Sequence, residues 1–139
     1  MSQESTTSDL VERWRRAVEA TSRGDLNATM SIFAADAVWE AQPLGITHTG
    51  APAIRSFLED WRASYEDYED DQEEGLGLGN GVVFQVTRLD ARLAGSRGRV
   101  QERFSFTVLW VEGMVTRVTV RNDIDEARAA AERLAESRE

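Results

Sequence analysis

The 139-residue chain contains no cysteine and no lysine, and His48 is its single histidine. The absence of cysteine excludes disulfides, thiolate nucleophiles and thiolate metal ligands. The absence of lysine excludes Schiff-base chemistry on a side-chain amine. One histidine cannot build a metal site of several imidazoles. We therefore expect no metal and no cofactor, and any chemistry falls to carboxylates, arginines, hydroxyls and one imidazole.

Positive charge is scarce as well. All 16 basic residues are arginine, against 25 acidic residues, so the net charge is −9. Nucleic acids and anionic membranes bind clustered positive charge, so neither is an expected partner. No stretch is long and apolar enough to span a bilayer, and the N-terminal residues lack the charged and apolar regions of a signal peptide. These features predict a cytoplasmic protein.

The length and composition favour one domain. Hydrophobic residues make up 41% of the chain, enough for a core at this size, and no linker or repeat divides the sequence. We predict a disordered lead-in over residues 1–7, a domain over residues 8–130, and a frayed helix end over residues 131–139.

Apolar periodicity predicts four helices. The first begins at a cap on Ser8 or Asp9 and ends at Gly24. Asp25 caps a short second helix that carries Phe33. A third follows Pro52 and extends to Tyr65, and the last covers residues 125–138.

Strand signals fill the rest of the chain. A short strand is predicted at residues 38–40, and the acidic run of residues 66–74 is expected to be a solvated segment with a marginal edge strand. A metal site in that run is the less favoured alternative, because alternating oxygen ligands are missing. Turns at Asn80-Gly81, at residues 95–98 and at Glu112-Gly113 separate three long strands. These strands are predicted over residues 82–94, 100–111 and 114–122.

Three segments in this order carry a family resemblance: residues 23–40 (RGDLNATMSIFAADAVWE), 45–61 (GITHTGAPAIRSFLEDW) and 111–123 (VEGMVTRVTVRND). Together they resemble the SnoaL-like branch of the nuclear-transport-factor-two-like superfamily. The resemblance implies an α+β, cone-shaped domain. In it a strongly curved antiparallel sheet wraps on three N-terminal helices with an apolar pocket between them. It also implies a homodimer across the outer face of the sheet.

Aromatic side chains are the candidate pocket wall. The ligand expected in such a pocket is a small apolar molecule. The alternative is that these side chains only fill the core. The candidate ligand-binding residues are Trp14, Trp39, Phe57, Trp61, Phe84, Phe104 and Phe106.

The resemblance to ketosteroid isomerases places their catalytic groups at three positions of this chain. Their general base falls at Ala41, and their two oxyanion-hole donors fall at Ala17 and Phe106. Proton abstraction beside a carbonyl needs a base and donors for the enolate. Isomerase activity of that type is therefore not expected.

The resemblance to polyketide cyclases points to Asp123, which matches their acid/base aspartate, whereas their strand histidine falls at Phe106. Asp123 also precedes the last helix, where an aspartate commonly caps backbone N–H groups. Both roles are open for this residue.

The epoxide hydrolases of the superfamily use a carboxylate–arginine–carboxylate cluster. A two-residue hairpin at Glu112-Gly113 would place Glu102 opposite Asp123 and Phe104 opposite Arg121. Arg103 or Arg121 could then lie between the two carboxylates. A surface ladder of ion pairs explains the same residues, and a shift of register by one residue would separate them.

His48 is the last catalytic candidate, as an acid/base residue if its loop folds over the pocket. The alternative is an exposed loop histidine. Two functions follow: an acid/base enzyme of isomerase, cyclase or hydrolase type acting on a hydrophobic metabolite, or a non-catalytic binding or accessory protein for a small apolar ligand. An enzyme needs at least two polar groups converging in the cavity, one of them a carboxyl with a pKa raised by burial.

Overall fold

The computed structural model describes residues 7–138. Residues 1–6 of the predicted lead-in and Glu139 at the predicted frayed end lie outside the described part, and the first helix begins at Thr7. Within the described part, none of the helices has the length and apolar content needed to cross a membrane. The elements are α1 (Thr7–Ser22), α2 (Leu26–Met30), β1 (Phe33–Ala41), the 3₁₀ helix η1 (Gln42–Leu44), β2 (Ile46–Thr49), α3 (Ala51–Ala63), β3 (Tyr65–Gly79), β4 (Val82–Leu93), β5 (Arg99–Val111), β6 (Met114–Arg121) and α4 (Ile124–Ser137).

The six strands form one sheet in the order β2-β1-β6-β5-β4-β3. All neighbours are antiparallel except β1 and β6, which pair in parallel. Helices α1, α2 and α3 share one core with the inner face of the sheet, whereas α4 packs on a second core at the outer face. The predicted α+β architecture is confirmed, with one parallel pair in place of a fully antiparallel sheet.

Local sequence explains the helices of the inner layer. Asp25 caps α2 and accepts a hydrogen bond from the backbone N–H of Ala28 at 3.2 Å. Pro52 lies in the first turn of α3, where its missing N–H costs no hydrogen bond. Ile54 and Leu58, one helical turn apart, are the residues of α3 that are fully buried against the sheet.

Two glycines of β3 bring α1 close to the sheet. A side chain at Gly77 would overlap with that of Thr7, and one at Gly75 would press on Val11. Because neither glycine carries a side chain, α1 contacts the backbone of β3 directly. This contact closes the sheet against the helical layer along β3.

Helix α4 covers part of the outer face. Its buried residues are Ala127, Ala131 and Ala135, which pack over Val82, Phe84 and Val86 of β4. Small alanine side chains let the helix lie near the strand. The guanidinium of Arg128 lies 5.1 Å from the ring centroid of Phe84 and also pairs with Glu74. The outer face, where the resemblance implies a dimer contact, is therefore partly occupied by the chain's own last helix.

Three boundaries differ from the predictions. Phe33 begins β1 rather than continuing α2, and Tyr65 begins β3 rather than ending α3. The segment around His48, predicted as loop, contains η1 and β2. The acidic segment belongs to a 15-residue edge strand whose pairing with β4 outweighs the low strand propensity of its aspartates and glutamates.

Candidate functional site

A cavity of about 480 Å³ lies between helices α1 to α3 and the inner face of the sheet. Its wall is largely aromatic, and the rings meet at centroid distances of 5.2 to 6.5 Å around Trp14 and Trp39. Six of the seven aromatic residues predicted from the sequence lie on this wall. The aromatic lining residues are Trp14, Phe33, Trp39, Phe57, Trp61, Tyr65, Tyr68, Phe104 and Phe106.

Phe84 is the exception among the predicted residues. It is fully buried on the outer face, beneath α4, in the second core. Its neighbours Val83 and Gln85 point to the inner face, because successive side chains of a strand alternate between faces. Phe84 is therefore a packing residue and not part of the cavity.

The positions assigned to isomerase chemistry by resemblance do lie on the cavity wall. Ala17, Ala41 and Phe106 all line it, and all three are at least 90% buried. None of these side chains can donate or accept a hydrogen bond. The cavity thus keeps the location of such a site and lacks its polar groups.

A chain of hydrogen bonds fixes the wall at Trp14. The indole Nε1 donates to Oε1 of Gln85 at 3.2 Å, and Nε2 of Gln85 donates to Oε1 of Gln72. Nε2 of Gln72 in turn donates to the backbone carbonyl of Arg15 at 3.3 Å. The side-chain amides of Gln85 and Gln72 both have partners, and these hydrogen bonds join α1, β3 and β4.

Asp70 is the carboxylate that the cavity encloses. It lies on β3, lines the cavity, and its Oδ1 is buried without a hydrogen-bond partner within residues 7–138. Burial raises the pKa of this carboxyl group to about 6, against the opposing effects of a hydrogen bond from Tyr68 and the charge of Arg62. Asp70 can therefore exchange a proton near neutral pH.

Tyr68 links Asp70 to the aromatic wall. Its hydroxyl oxygen accepts a hydrogen bond from Nε1 of Trp61 at 3.1 Å. Burial raises the pKa of the phenol, and the charge of Asp70 raises it further. The phenol thus stays protonated and can donate toward Asp70, two residues further along the same face of β3.

A second carboxylate, Glu102, lies at the cavity mouth. In the sheet Asp70 pairs with Leu89, and Leu89 pairs with Glu102. Directly paired residues share a face, so Asp70 and Glu102 flank Leu89 with their backbones about 10 Å apart, two strand spacings. Tyr65 lies near Glu102, and its pKa is raised, first by burial and then by the charge of Glu102.

The other polar groups of the lining differ in availability. Thr21 and Thr29 hydrogen-bond to each other and to the carbonyl of Ala17, so both hydroxyls are engaged. Asn122 lies exposed at the mouth. Within the described residues, no three histidine, aspartate or glutamate side chains come together as a metal site.

Asp123 caps α4. Its Oδ1 accepts a hydrogen bond from the backbone N–H of Glu126 at 3.0 Å, and it does not line the cavity. A shift of register between Leu109 and Trp110 places Ser105 opposite Arg121. The predicted pairing of Glu102 with Asp123, and of Phe104 with Arg121, is therefore wrong, because the prediction assumed an unbroken ladder.

The two candidate arginines do not bridge carboxylates of the cavity. Arg121 pairs with Glu126 at 3.7 Å, and Arg103 pairs with Glu73 at 2.6 Å. Arg103 contributes to the cavity lining between Glu102 and Phe104, and its guanidinium is engaged by Glu73, which does not line the cavity. Both belong to surface ion pairs, which contribute little to stability.

His48 lies on β2, opposite Trp39 of β1. Its ring stacks on Phe57 with 4.4 Å between the ring centroids. It supports the wall from behind and is not among the lining residues. Its Nε2 is buried without a hydrogen-bond partner within residues 7–138.

Asp70 and Tyr68 were missed in the sequence because they stand in a run of acidic residues. The available signal was alternation: Tyr68, Asp70 and Gln72 occur at every second position and are less exposed than Glu69, Asp71 and Glu73. An aromatic and an amide at strand spacing within an acidic run mark an inward face.

Comparisons with known proteins agree with this geometry. The chain is similar in structure to a protein with a ketosteroid isomerase-like fold from Catenulispora acidiphila, in complex with trimethylamine. That likeness has a TM-score of 0.71 and 17% identity, and it covers 91% of this chain and 94% of that one. A proposed polyketide cyclase from Sinorhizobium meliloti has a TM-score of 0.67 and 20% identity, over 84% of this chain and 100% of that one.

A cystatin-fold protein from Novosphingobium aromaticivorans has a TM-score of 0.71 and 16% identity, over 81% of this chain and 97% of that one. A search of curated proteins finds no match. The model of the SnoaL-like domain matches residues 14–130, a span that includes the cavity-lining residues from α1 to Asn122. The chain belongs to the SnoaL-like domain family, whose fold here encloses a pocket for a small molecule.

Proposed function

We propose that the chain is an acid/base enzyme that acts on a small, largely apolar molecule, with Asp70 as the group that takes up and returns a proton. One observation carries this proposal: a carboxyl group with a pKa of about 6 lines a cavity whose wall is largely aromatic. A base with a pKa near the working pH is both available and effective.

Tyr68 and Glu102 support the same function. Tyr68 lies beside Asp70 and supplies a protonated hydroxyl that favours its charged form. Glu102 is exposed at the mouth, in an environment unlike that of Asp70. Two carboxyl groups in different environments can divide the tasks of proton acceptor and proton donor.

Deuterium uptake tests the proposal without knowledge of the natural substrate. The protein is incubated in D₂O with a panel of small cyclic ketones and enones, and exchange at carbon beside the carbonyl is followed by mass spectrometry. We expect exchange above the buffer rate for at least one compound, increasing as the pH rises through about 6 because the ionised carboxylate is the base.

Asp70→Asn should reduce this exchange by about 100-fold or more, the usual effect of removing a general base. Asp71→Asn is the matched control, because Asp71 is the next residue, exposed and paired with Arg88 at 3.8 Å. Equal exchange by wild type and Asp70→Asn would contradict the assignment.

A non-catalytic pocket for an organic cation with an apolar body is the second candidate. The aromatic wall and Asp70 favour it, since ring faces and a buried carboxylate both attract a positive charge. The structural relative from Catenulispora acidiphila was solved with trimethylamine. Choline and its neutral isostere 3,3-dimethyl-1-butanol, titrated against tryptophan fluorescence, separate the candidates. Selective binding of choline without ketone exchange would favour the cation pocket.

A further inference from the structure

Arg62 joins three elements beside Asp70. It lies near the end of α3, and its Nε donates to the carbonyl of Ser22, the last residue of α1, at 2.9 Å. One terminal nitrogen donates to the carbonyl of Tyr65, the first residue of β3, at 3.1 Å. A cation at the C-terminal end of a helix also interacts favourably with the helix dipole.

The same guanidinium packs on Tyr68. Its central carbon lies 4.6 Å from the centroid of the phenol ring, within the range of a cation–π contact. The hydroxyl of that ring accepts a hydrogen bond from Trp61 and lies beside Asp70. Arg62 therefore touches Tyr68 on the cavity wall from a position that is not itself part of the lining.

The start of β3 needs such an anchor. Asp67 has a φ of 50°, and the pairing of β3 with β4 shifts between Glu66 and Glu69. This bulge sets which residues after it face inward, and Tyr68 and Asp70 are the first two. The bond from Arg62 to Tyr65 holds the strand immediately before the bulge.

Arg62 also differs from the arginines around it in its charge balance. Within residues 7–138 it forms no ion pair with a carboxylate, whereas Arg88 pairs with Asp71 and Arg99 with Asp90. Its positive charge is thus left to act on Asp70 across Tyr68.

The remaining charged groups near Asp70 are mostly negative. A surface depression beside it is lined by Glu69, Asp71, Asp90 and Arg88, and Glu102 lies across Leu89 on β5. From α1 the neighbouring residue is the neutral Ser22. Arg62 is accordingly the one unpaired positive charge next to Asp70 in the described part of the chain.

We infer that Arg62 is a positioning residue of the Asp70 site, which fixes the ring of Tyr68 beside the carboxyl group and favours the charged form of Asp70. The inference rests on the proposed role of Asp70 as proton acceptor. It adds a residue outside the cavity lining that influences the surroundings and the charge of the proton acceptor.

The test is the titration of Asp70 in the absence of any substrate. Carboxyl carbon resonances of ¹³C-labelled aspartate are followed by NMR from pH 4 to 8, and Asp70→Asn assigns the signal. Arg62→Met keeps much of the apolar stem and removes the charge and the donors. Arg62→Lys keeps the positive charge but lacks the planar guanidinium group. Arg55→Met is the control on the same helix, because Arg55 pairs with exposed Glu59 at 3.4 Å.

We expect Arg62→Met to raise the titration midpoint of Asp70 by about half a pH unit or more, since an opposite charge has been removed. The pH profile of deuterium exchange should move upward by the same amount. Arg62→Lys should keep the midpoint within about 0.3 units of wild type, and Arg55→Met should not change it.

An unchanged midpoint in folded Arg62→Met overturns the inference. If Arg62→Met does not fold, Arg62→Lys becomes the deciding variant. A titration midpoint of Asp70 at the wild-type value, together with a shifted NMR signal of the Tyr68 ring, supports the inference. An NMR signal of the Tyr68 ring identical to that of the wild type overturns it. Because the midpoint is read without substrate, a lack of ketone exchange in the wild-type protein contradicts the proposed function and not this role of Arg62.

Discussion

Asp70 and Glu102 lie on one face of the sheet, in a single cross-strand row on either side of Leu89. Asp70 is half-buried beside Tyr68 on the cavity wall, and Glu102 is exposed at the mouth. The lining therefore contains one half-buried carboxyl group and one hydrated carboxyl group. This asymmetry underlies the proposed division between proton acceptor and donor.

Asp70→Asn should stabilise the folded protein at neutral pH. The pKa of Asp70 is about 6 when folded against an ordinary 3.8, so between those values the folded chain holds a proton that the unfolded chain has released. The free energy of unfolding of the wild type therefore falls as the pH rises from about 4 to 6, and this loss of stability is complete above pH 6. We expect a gain of about 1–3 kcal/mol for Asp70→Asn at pH 7.5, which vanishes near pH 4.

Urea unfolding at several pH values measures this difference. Asp71→Asn, on the exposed side of the strand, should show no comparable gain. A stability difference between wild type and Asp70→Asn that is the same at pH 4 and pH 7.5 would argue against a buried, ionising carboxyl group.

Asp123→Ala should destabilise the protein by about 1 kcal/mol because α4 loses its cap. Asp123→Asn keeps an acceptor oxygen and should cost less. Both variants should retain deuterium exchange and ligand binding, since Asp123 is not a lining residue. Chemical denaturation gives the stability, with Glu132→Ala on α4 as control. Loss of exchange in folded Asp123→Asn would restore the catalytic role predicted from the family resemblance.

Gln85→Leu should lower the free energy of unfolding by about 1–3 kcal/mol. The change leaves the buried Nε1 of Trp14 without its acceptor and Oε1 of half-buried Gln72 without its donor. Tryptophan emission during urea unfolding reports both stability and the setting of Trp14. Gln101→Leu is the control, because Gln101 is exposed and bonds only to Asp90. Equal urea unfolding midpoints for Gln85→Leu and Gln101→Leu would mean that the hydrogen bonds of Gln85 contribute nothing to stability.

The fold was predictable because its signals are local. The Gly24-Asp25 junction, Pro52 and the Asn80-Gly81 turn each set an element boundary through their own backbone chemistry. Much of the wall was predictable too, since Trp39, Phe57 and Phe106 recur at helix or strand spacing.

The polar site was not predictable in the same way. Glu102 was paired with the wrong carboxylate because a single bulge near Trp110 moves every later partner on β6 by one residue. Asp70 carries the same carboxyl group as the aspartates and glutamates around it, and the bulge at Asp67 decides that it faces inward. Such register changes depend on contacts between distant parts of the chain, and composition and periodicity do not report them.

The contact of α1 with Gly75 and Gly77 has a consequence for the evolution and redesign of the pocket. Because the strand carries no side chain there, the side chains of Thr7 and Val11 reach its backbone and set the distance between α1 and β3. We expect a larger residue at Gly77 to press on Thr7 and to shift α1, the helix that also carries Trp14 and Ala17. Ligand size can therefore change through positions that never meet the ligand, while Asp70, Tyr68 and Arg62 stay as they are.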